Sequence, residues 1–130
     1  MKLLVAILLS TAVALLAQTA RSGAYTAEQA TAGEAAYKTD CASCHGADLA
    51  GTGRQTPTLV GEEFLAGWRE LAIADLFEKI QETMPADKPG KLSRERNAQI
   101  LAFILKSNKF PAGAAALPTD KAALAKVVWK

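Results

Sequence analysis

The chain has 130 residues, half of them hydrophobic and only 6% aromatic, with 15 Lys and Arg against 13 Asp and Glu. That length suits one domain with a single core and is short for two. The near-balance of charge leaves no electrostatic case for binding nucleic acid or an anionic membrane surface.

The hydrophobic average mixes an apolar N-terminus with a more ordinary remainder. Residues 1–20 begin with Lys2, run apolar from Leu3 to Ala17 with breaks only at Ser10 and Thr11, and end in small residues. This is the layout of a secretory signal peptide cleaved near Ala17 to Ala20, and it predicts export to the periplasm. As a helix the apolar run would rise roughly 22 Å against about 30 Å of hydrocarbon, so no stable membrane anchor is expected. No cysteine lies near the junction to carry a lipid. The functional domain is then expected over residues 21–130, with a wrapping tail from about residue 108.

Thr26-Ala27-Glu28-Gln29 fits a capping box, which predicts a first helix from about Ala27 to Tyr37 or Lys38. Gly33 and Tyr37 stand four apart on one face, and a glycine there permits close approach by another helix. A glycine merely tolerated in a helix is the alternative.

Cys41-Ala42-Ser43-Cys44-His45 has the C-x-x-C-H pattern of covalent haem attachment. Two cysteines three apart on one helical turn reach the two vinyl groups of a porphyrin edge, and the adjacent imidazole lies under the iron. One short segment thus supplies both tethers and a proximal ligand. These are the only two cysteines, and His45 is the only histidine. A zinc site would need further ligands, and a thioredoxin-like pair would need a preceding strand in a βαβ setting. A disulfide across two intervening residues closes a loop too small to remove much unfolded-state entropy.

Gly46 to Gly61 carries glycine and proline breaks and no sustained period, so it predicts a loop that could wrap a flat cofactor. Pro57 within it either presents its carbonyl to the free nitrogen of His45 or simply stiffens a turn. Glu62 to Trp68 predicts a short helical turn. Trp68 offers its indole N–H to a haem propionate, with ordinary partial burial as the alternative.

Ile73, Leu76, Phe77 and Ile80 recur at helical spacing and predict a helix from Ile73 to Thr83 that delivers Met84. With Met1 in the leader, Met84 is the only methionine of the domain. Pro85, Pro89 and Gly90 after it make a loop rather than a helix face, 39 residues beyond His45. A core methionine is the usual reading of a lone Met. The loop context points instead to the second axial ligand, a soft thioether that stabilises reduced iron.

Ser93 predicts a cap for a last main helix, Arg94 to Ser107, with Ile100, Leu101, Phe103, Ile104 and Leu105 on a broad apolar face. Such breadth implies burial against both a cofactor and another helix. Lys109 to Lys130 contains Pro111, Gly113 and Pro118, which predict a surface wrap and a short helix at about Thr119 to Val127. No repeat, linker or strand signal appears.

From about Tyr25 to Leu117 these residues resemble class I, mono-haem c-type cytochromes. The likeness rests on Gly33 and Tyr37, Cys41 to Gly46, Pro57 with Leu59 and Gly61, Met84-Pro85, and Phe103. It implies an all-α, cytochrome c-like fold of three to five helices around one haem c. It also implies that Gly33, Tyr37 and Phe103 form a helix crossing and that the Pro57 carbonyl accepts a hydrogen bond from the ligand histidine. Thr83 to Leu92 and Asn108 to Gly113 further resemble cytochrome c domains associated with quinoprotein alcohol dehydrogenases.

The expected site therefore holds no catalytic residue. Cys41, Cys44, His45, Met84, Pro57 and Trp68 bind the cofactor, with His45 and Met84 on the metal. The expected function is single-electron transfer between redox proteins, a dehydrogenase as donor and an oxidase or another cytochrome as acceptor, by a monomer or a complex subunit. Two alternatives are a haem-bearing small subunit of a quinoprotein dehydrogenase or terminal oxidase, and an open-site sensor or peroxidase. The last needs a distal acid–base residue, and no second histidine is available. Lys88, Lys91, Arg94 and Arg96 outnumber Asp87 and Glu95 nearby, either as a docking surface or as ordinary solvated charge.

Overall fold

The computed structural model describes residues 18–53 and 55–130, and six helices organise these described residues: α1 (Ala27–Asp40), α2 (Ala42–His45), α3 (Gly61–Trp68), α4 (Ile73–Thr83), α5 (Arg94–Ser107) and α6 (Lys121–Leu124). A single 3-10 turn, Ala20–Ser22, precedes them. Among the described residues there is no strand, only isolated bridges pairing Thr19 with Val128 and Gly53 with Thr56. The fold is all-α, as expected. Helix α2 and the last helix α6 are single turns, the latter shorter than the predicted Thr119 to Val127. The expected leader lies, up to residue 17, outside the described residues.

Helices α4 and α5 run over the residues that their periodicity and caps predict. The Ser93 hydroxyl accepts the Arg96 N–H at 3.1 Å, and the Asp75 carboxylate accepts the Ala72 N–H at 2.8 Å. Helix α1 runs on to Asp40, because the Cys41 N–H still reaches the Tyr37 carbonyl at 2.9 Å. Its capping box forms only in half. The Thr26 hydroxyl accepts the Gln29 N–H at 3.1 Å, but the Gln29 side chain turns away to the tail. There its amide donates to the Leu117 carbonyl at 3.0 Å and accepts the Leu117 N–H at 2.8 Å. A buried backbone pair gains more from that side chain than an exposed helix terminus would.

The largest helix–helix interface is the crossing of α1 and α5. Gly33 sits against the Gln99 carbonyl of α5, which any Cβ at position 33 would overlap. Four residues on, the Tyr37 ring packs against Phe103 with centroids 5.3 Å apart. Ala30 and Ala36 of α1 and Ala98 and Ala102 of α5 are buried as well, and residues this small suit close helix packing.

Helix α4 lies against the other side of α5, with Ile73, Leu76, Phe77 and Ile80 buried. Polar groups fasten this pair. Asn97, fully buried, donates to the Phe77 carbonyl at 2.9 Å and to the Gln81 side-chain oxygen at 3.1 Å. The Arg94 guanidinium pairs with Glu78 at 2.7 Å, lies 4.6 Å over the Phe77 ring and donates to the Thr119 carbonyl at 2.6 Å. One side chain thereby ties α4, α5 and the tail.

The tail folds back over α1 and meets residues 18–25. Gly113 and Gly23 pass so closely that neither tolerates a Cβ, and the Gly113 N–H donates to the Tyr25 carbonyl at 2.7 Å. The Tyr25 hydroxyl donates to the Phe110 carbonyl at 2.6 Å, and Phe110 packs on Trp129 with centroids 5.6 Å apart. Ala20 donates to the Val128 carbonyl at 2.7 Å, and Val128 donates to the Gln18 carbonyl at 3.1 Å.

Two expectations follow. Gly33→Ala forces a methyl into a main-chain carbonyl that cannot rotate aside, so chemical denaturation should show a loss of about 3 kcal/mol. Arg94 holds the Glu78 carboxyl below the usual glutamate range through its hydrogen bond and charge. The stabilisation is therefore complete above the ordinary glutamate pKa and fades as pH falls through the depressed one. Glu78→Gln should flatten that acid limb of the stability–pH curve.

Candidate cofactor site

Cys41 is the only residue between α1 and α2. Its carbonyl accepts the N–H groups of Cys44 at 3.1 Å and His45 at 2.9 Å, and these bonds close the single turn of α2. Gly46 then leaves that turn at φ +80, a left-handed conformation that favours glycine. The redirected Gly46 carbonyl accepts the Tyr37 hydroxyl at 2.6 Å. The α1–α5 crossing is thereby bolted to the exit of the Cys-x-x-Cys-His turn.

The following loop folds back on that turn. Gly51 donates to the His45 carbonyl at 2.9 Å, and Leu59 donates to the Leu49 carbonyl at 2.8 Å. These bonds bring the Pro57 carbonyl to 3.1 Å from His45 Nδ1. A carbonyl only accepts, so Nδ1 carries the proton and Nε2 keeps its lone pair. The imidazole is thus held, nearly buried, in the tautomer that a metal ligand requires.

Met84 comes from a separate element, the C-terminus of α4. Its N–H closes α4 on the Ile80 carbonyl at 2.9 Å, and the residue itself is extended and half-buried. Gln81 steadies the far end of this loop by donating to the Leu92 carbonyl at 2.7 Å.

Cys41, Cys44, His45, Pro57, Trp68 and Met84 all line one cavity of about 790 Å³. Phe64, Leu76, Ile80, Ile100 and Ile104 supply most of its apolar wall. The volume lies within the range of about 300–1,000 Å³ usual for ligand pockets. Two unbridged thiols and one imidazole nitrogen on a shared apolar space form the donor set that haem c requires, and the Met84 thioether lies on the same cavity. The residues fit the group.

Burial pushes the Cys41 thiol up to about 11, and neighbouring Asp40 adds to the rise while Arg96 opposes it. A thiol so protonated at neutral pH is the reverse of the activated thiolate needed for disulfide exchange. Asp40 itself lines the cavity and is ion-paired to Arg96 of α5. Sequence reasoning missed this pair, along with the Gln81–Leu92 contact and the part played by Phe64. Only the four-residue spacing of Phe64 and Trp68 on α3 offered a signal for the last.

A family described as cytochrome C oxidase, cbb3-type, subunit III matches residues 28–104, more than half of the chain. The chain belongs to that family and is a c-type cytochrome. The matched span runs from α1 nearly to the end of α5 and contains every cavity-lining residue named above. No curated protein and no solved structure shows significant similarity to this cytochrome. A cytochrome c domain implies covalently bound haem and an electron carrier rather than a catalytic enzyme, and Cys41 and Cys44 are the cysteines present for attachment.

Burial, reinforced by the nearby Cys41 and Asp48, pushes the Tyr37 hydroxyl up to about 12. Its contribution to stability is therefore full below the ordinary tyrosine pKa of about 10 and is lost as pH rises toward the folded value. Tyr37→Phe removes the bond to Gly46, so it should cost about 1 kcal/mol at neutral pH. The alkaline limb of the stability–pH curve should become shallower in that variant.

Proposed function

We propose that this cytochrome is exported to the periplasm and transfers single electrons between redox proteins as a class I, mono-haem carrier. Cys41 and Cys44 would hold the cofactor, and His45 and Met84 would be its axial ligands. The convergence of these four side chains, from two distant segments, on one apolar cavity carries the reading. Bound there, haem supplies an iron that accepts and releases one electron.

The chain's own residues define the working conditions. Pro57 holds the His45 ring and raises its basicity as a ligand. Leu76, Ile80, Ile100 and Ile104 give the cavity an apolar wall that would keep the cofactor in a low-polarity setting. Trp68, half-buried at the cavity, is the candidate donor to a propionate. With His45 and Met84 as its two ligands the metal would keep no open face for peroxide, and the chain has no second histidine to assist such chemistry.

A second reading sharpens the partner. The family's description names an oxidase subunit, which favours a terminal oxidase as electron acceptor or host complex. The likeness of Thr83 to Leu92 and Asn108 to Gly113 to quinoprotein-associated domains favours a dehydrogenase as donor. Charge gives less guidance than the sequence suggests. Of the basic residues near the methionine loop, Arg94 is paired with Glu78 and Arg96 with Asp40. Lys88 and Lys91 remain exposed with no ion pair among the described residues.

Protein produced with a host's cytochrome maturation machinery should keep one haem after denaturation, by intact mass, and show sharp c-type bands on reduction. Met84→Ala should retain that haem, bind carbon monoxide at neutral pH where the parent does not, and have a lower reduction potential. A colourless product with free or mutually bridged cysteines would overturn the reading. An unchanged potential in Met84→Ala would remove the methionine from the metal.

A further inference from the structure

The Pro57 carbonyl that orients His45 belongs to an exposed residue with no N–H of its own to anchor it. Two residues further on, where Leu59 and Val60 pack against the core, the chain is hydrogen-bonded to the helical body by one side chain, Asn108, which caps the C-terminus of α5. Its oxygen accepts the Gly61 N–H at 2.9 Å, 47 residues away. Its amide nitrogen donates to the Leu59 carbonyl, 49 residues away, and to the Ile104 carbonyl of α5, both at 2.9 Å. Both amide protons and an acceptor site are thus in use. The other bonds of this stretch, Leu59 to Leu49 and Thr58 to Val60, run from loop to loop.

We propose that Asn108 is a positioning residue for the His45 ligand, acting through the Leu59–Gly61 turn on the Pro57 carbonyl. The inference rests on the assignment of His45 as axial ligand. Helix α5 supplies the fixed reference. It carries Ile100 and Ile104 on the cavity wall and Asn108 at its end, so the turn that bears Pro57 is registered to the same helix that forms the pocket. Were Asn108 simply a helix cap, its bond to Ile104 would suffice. The two long-range bonds, one accepted and one donated, instead fix both the height and the tilt of the turn.

The test compares the unaltered cytochrome with Asn108→Ala, Asn108→Asp and a remote control, Val127→Ala, which opens a hole in the buried tail side of the core. In Asn108→Ala the His45 Nδ1 proton should exchange with solvent about tenfold faster by NMR, the scale of one lost hydrogen bond. The reduction potential should rise, because a weaker bond to Pro57 makes the ring a poorer electron donor to the iron. Asn108→Asp keeps the acceptor for Gly61 but sets a carboxylate oxygen against the Leu59 and Ile104 carbonyls, so both readouts should move the same way at least as far as in the alanine variant, and it decides the matter if that variant fails to mature. Val127→Ala should lower stability without moving either readout.

Exchange and potential in the Asn108 variants no different from those of Val127→Ala would overturn the proposal. Absence of covalent haem from the unaltered protein would count against the proposed function instead. In that case His45 exchange, measured on the haem-free chain, still judges the hold of Asn108 on Pro57.

Discussion

The contact between Gly33 and the Gln99 carbonyl sets the spacing on which the cavity depends. Two helices that meet at a glycine lie closer than side chains would otherwise allow, and their relative height is then fixed by backbone, which does not repack. The Tyr37–Phe103 stack continues the same seam, and the Tyr37 hydroxyl carries it to Gly46 at the exit of the Cys-x-x-Cys-His turn. The backbone position of His45 is therefore inherited from a helix crossing, while the loop that surrounds it orients the ring.

Helix α5 then serves as the common support for both halves of the site. Near its start, Asn97 and Arg94 grip α4, which carries Met84 at its end. Between them, Ile100 and Ile104 face the cavity, and at its end Asn108 grips the turn after Pro57. The broad apolar face noted in the sequence divides by direction: Ile100 and Ile104 line the cavity, while Leu101 and Leu105 are buried and absent from its lining. Rigid support of this kind suits a metal whose oxidation state changes with little movement of its ligands.

Much of this was legible in the residues because it is written locally. The bounds of α4 and α5 follow from helical spacing and adjacent caps, and the Cys-x-x-Cys-His turn needs five consecutive residues. Met84 stood out by elimination and by the prolines behind it. What escaped the sequence joins polar groups far apart in the chain. Gln29 meets Leu117 across 88 positions, and Asn108 meets Leu59 and Gly61 across nearly 50. Such pairings leave no period, and a glutamine that completes a capping box looks the same whether it turns back to the cap or away to a tail. The engagement of residues 18–25 with the tail was equally invisible, since Gly23 and Gly113 look like ordinary turn residues until their backbones are seen to cross.

The direct passage of α1 into α2 through Cys41 alone has a bearing on how the motif could change. Because no slack separates them, the azimuth of the thiols is dictated by the winding of α1 counted from Gly33. Each helical residue turns the chain by about 100°, so one residue inserted or deleted between Gly33 and Cys41 would swing both sulfurs to another side of the helix. Length variation between lineages should therefore collect in the 46–60 loop and the tail, while the stretch from glycine to first cysteine keeps its count.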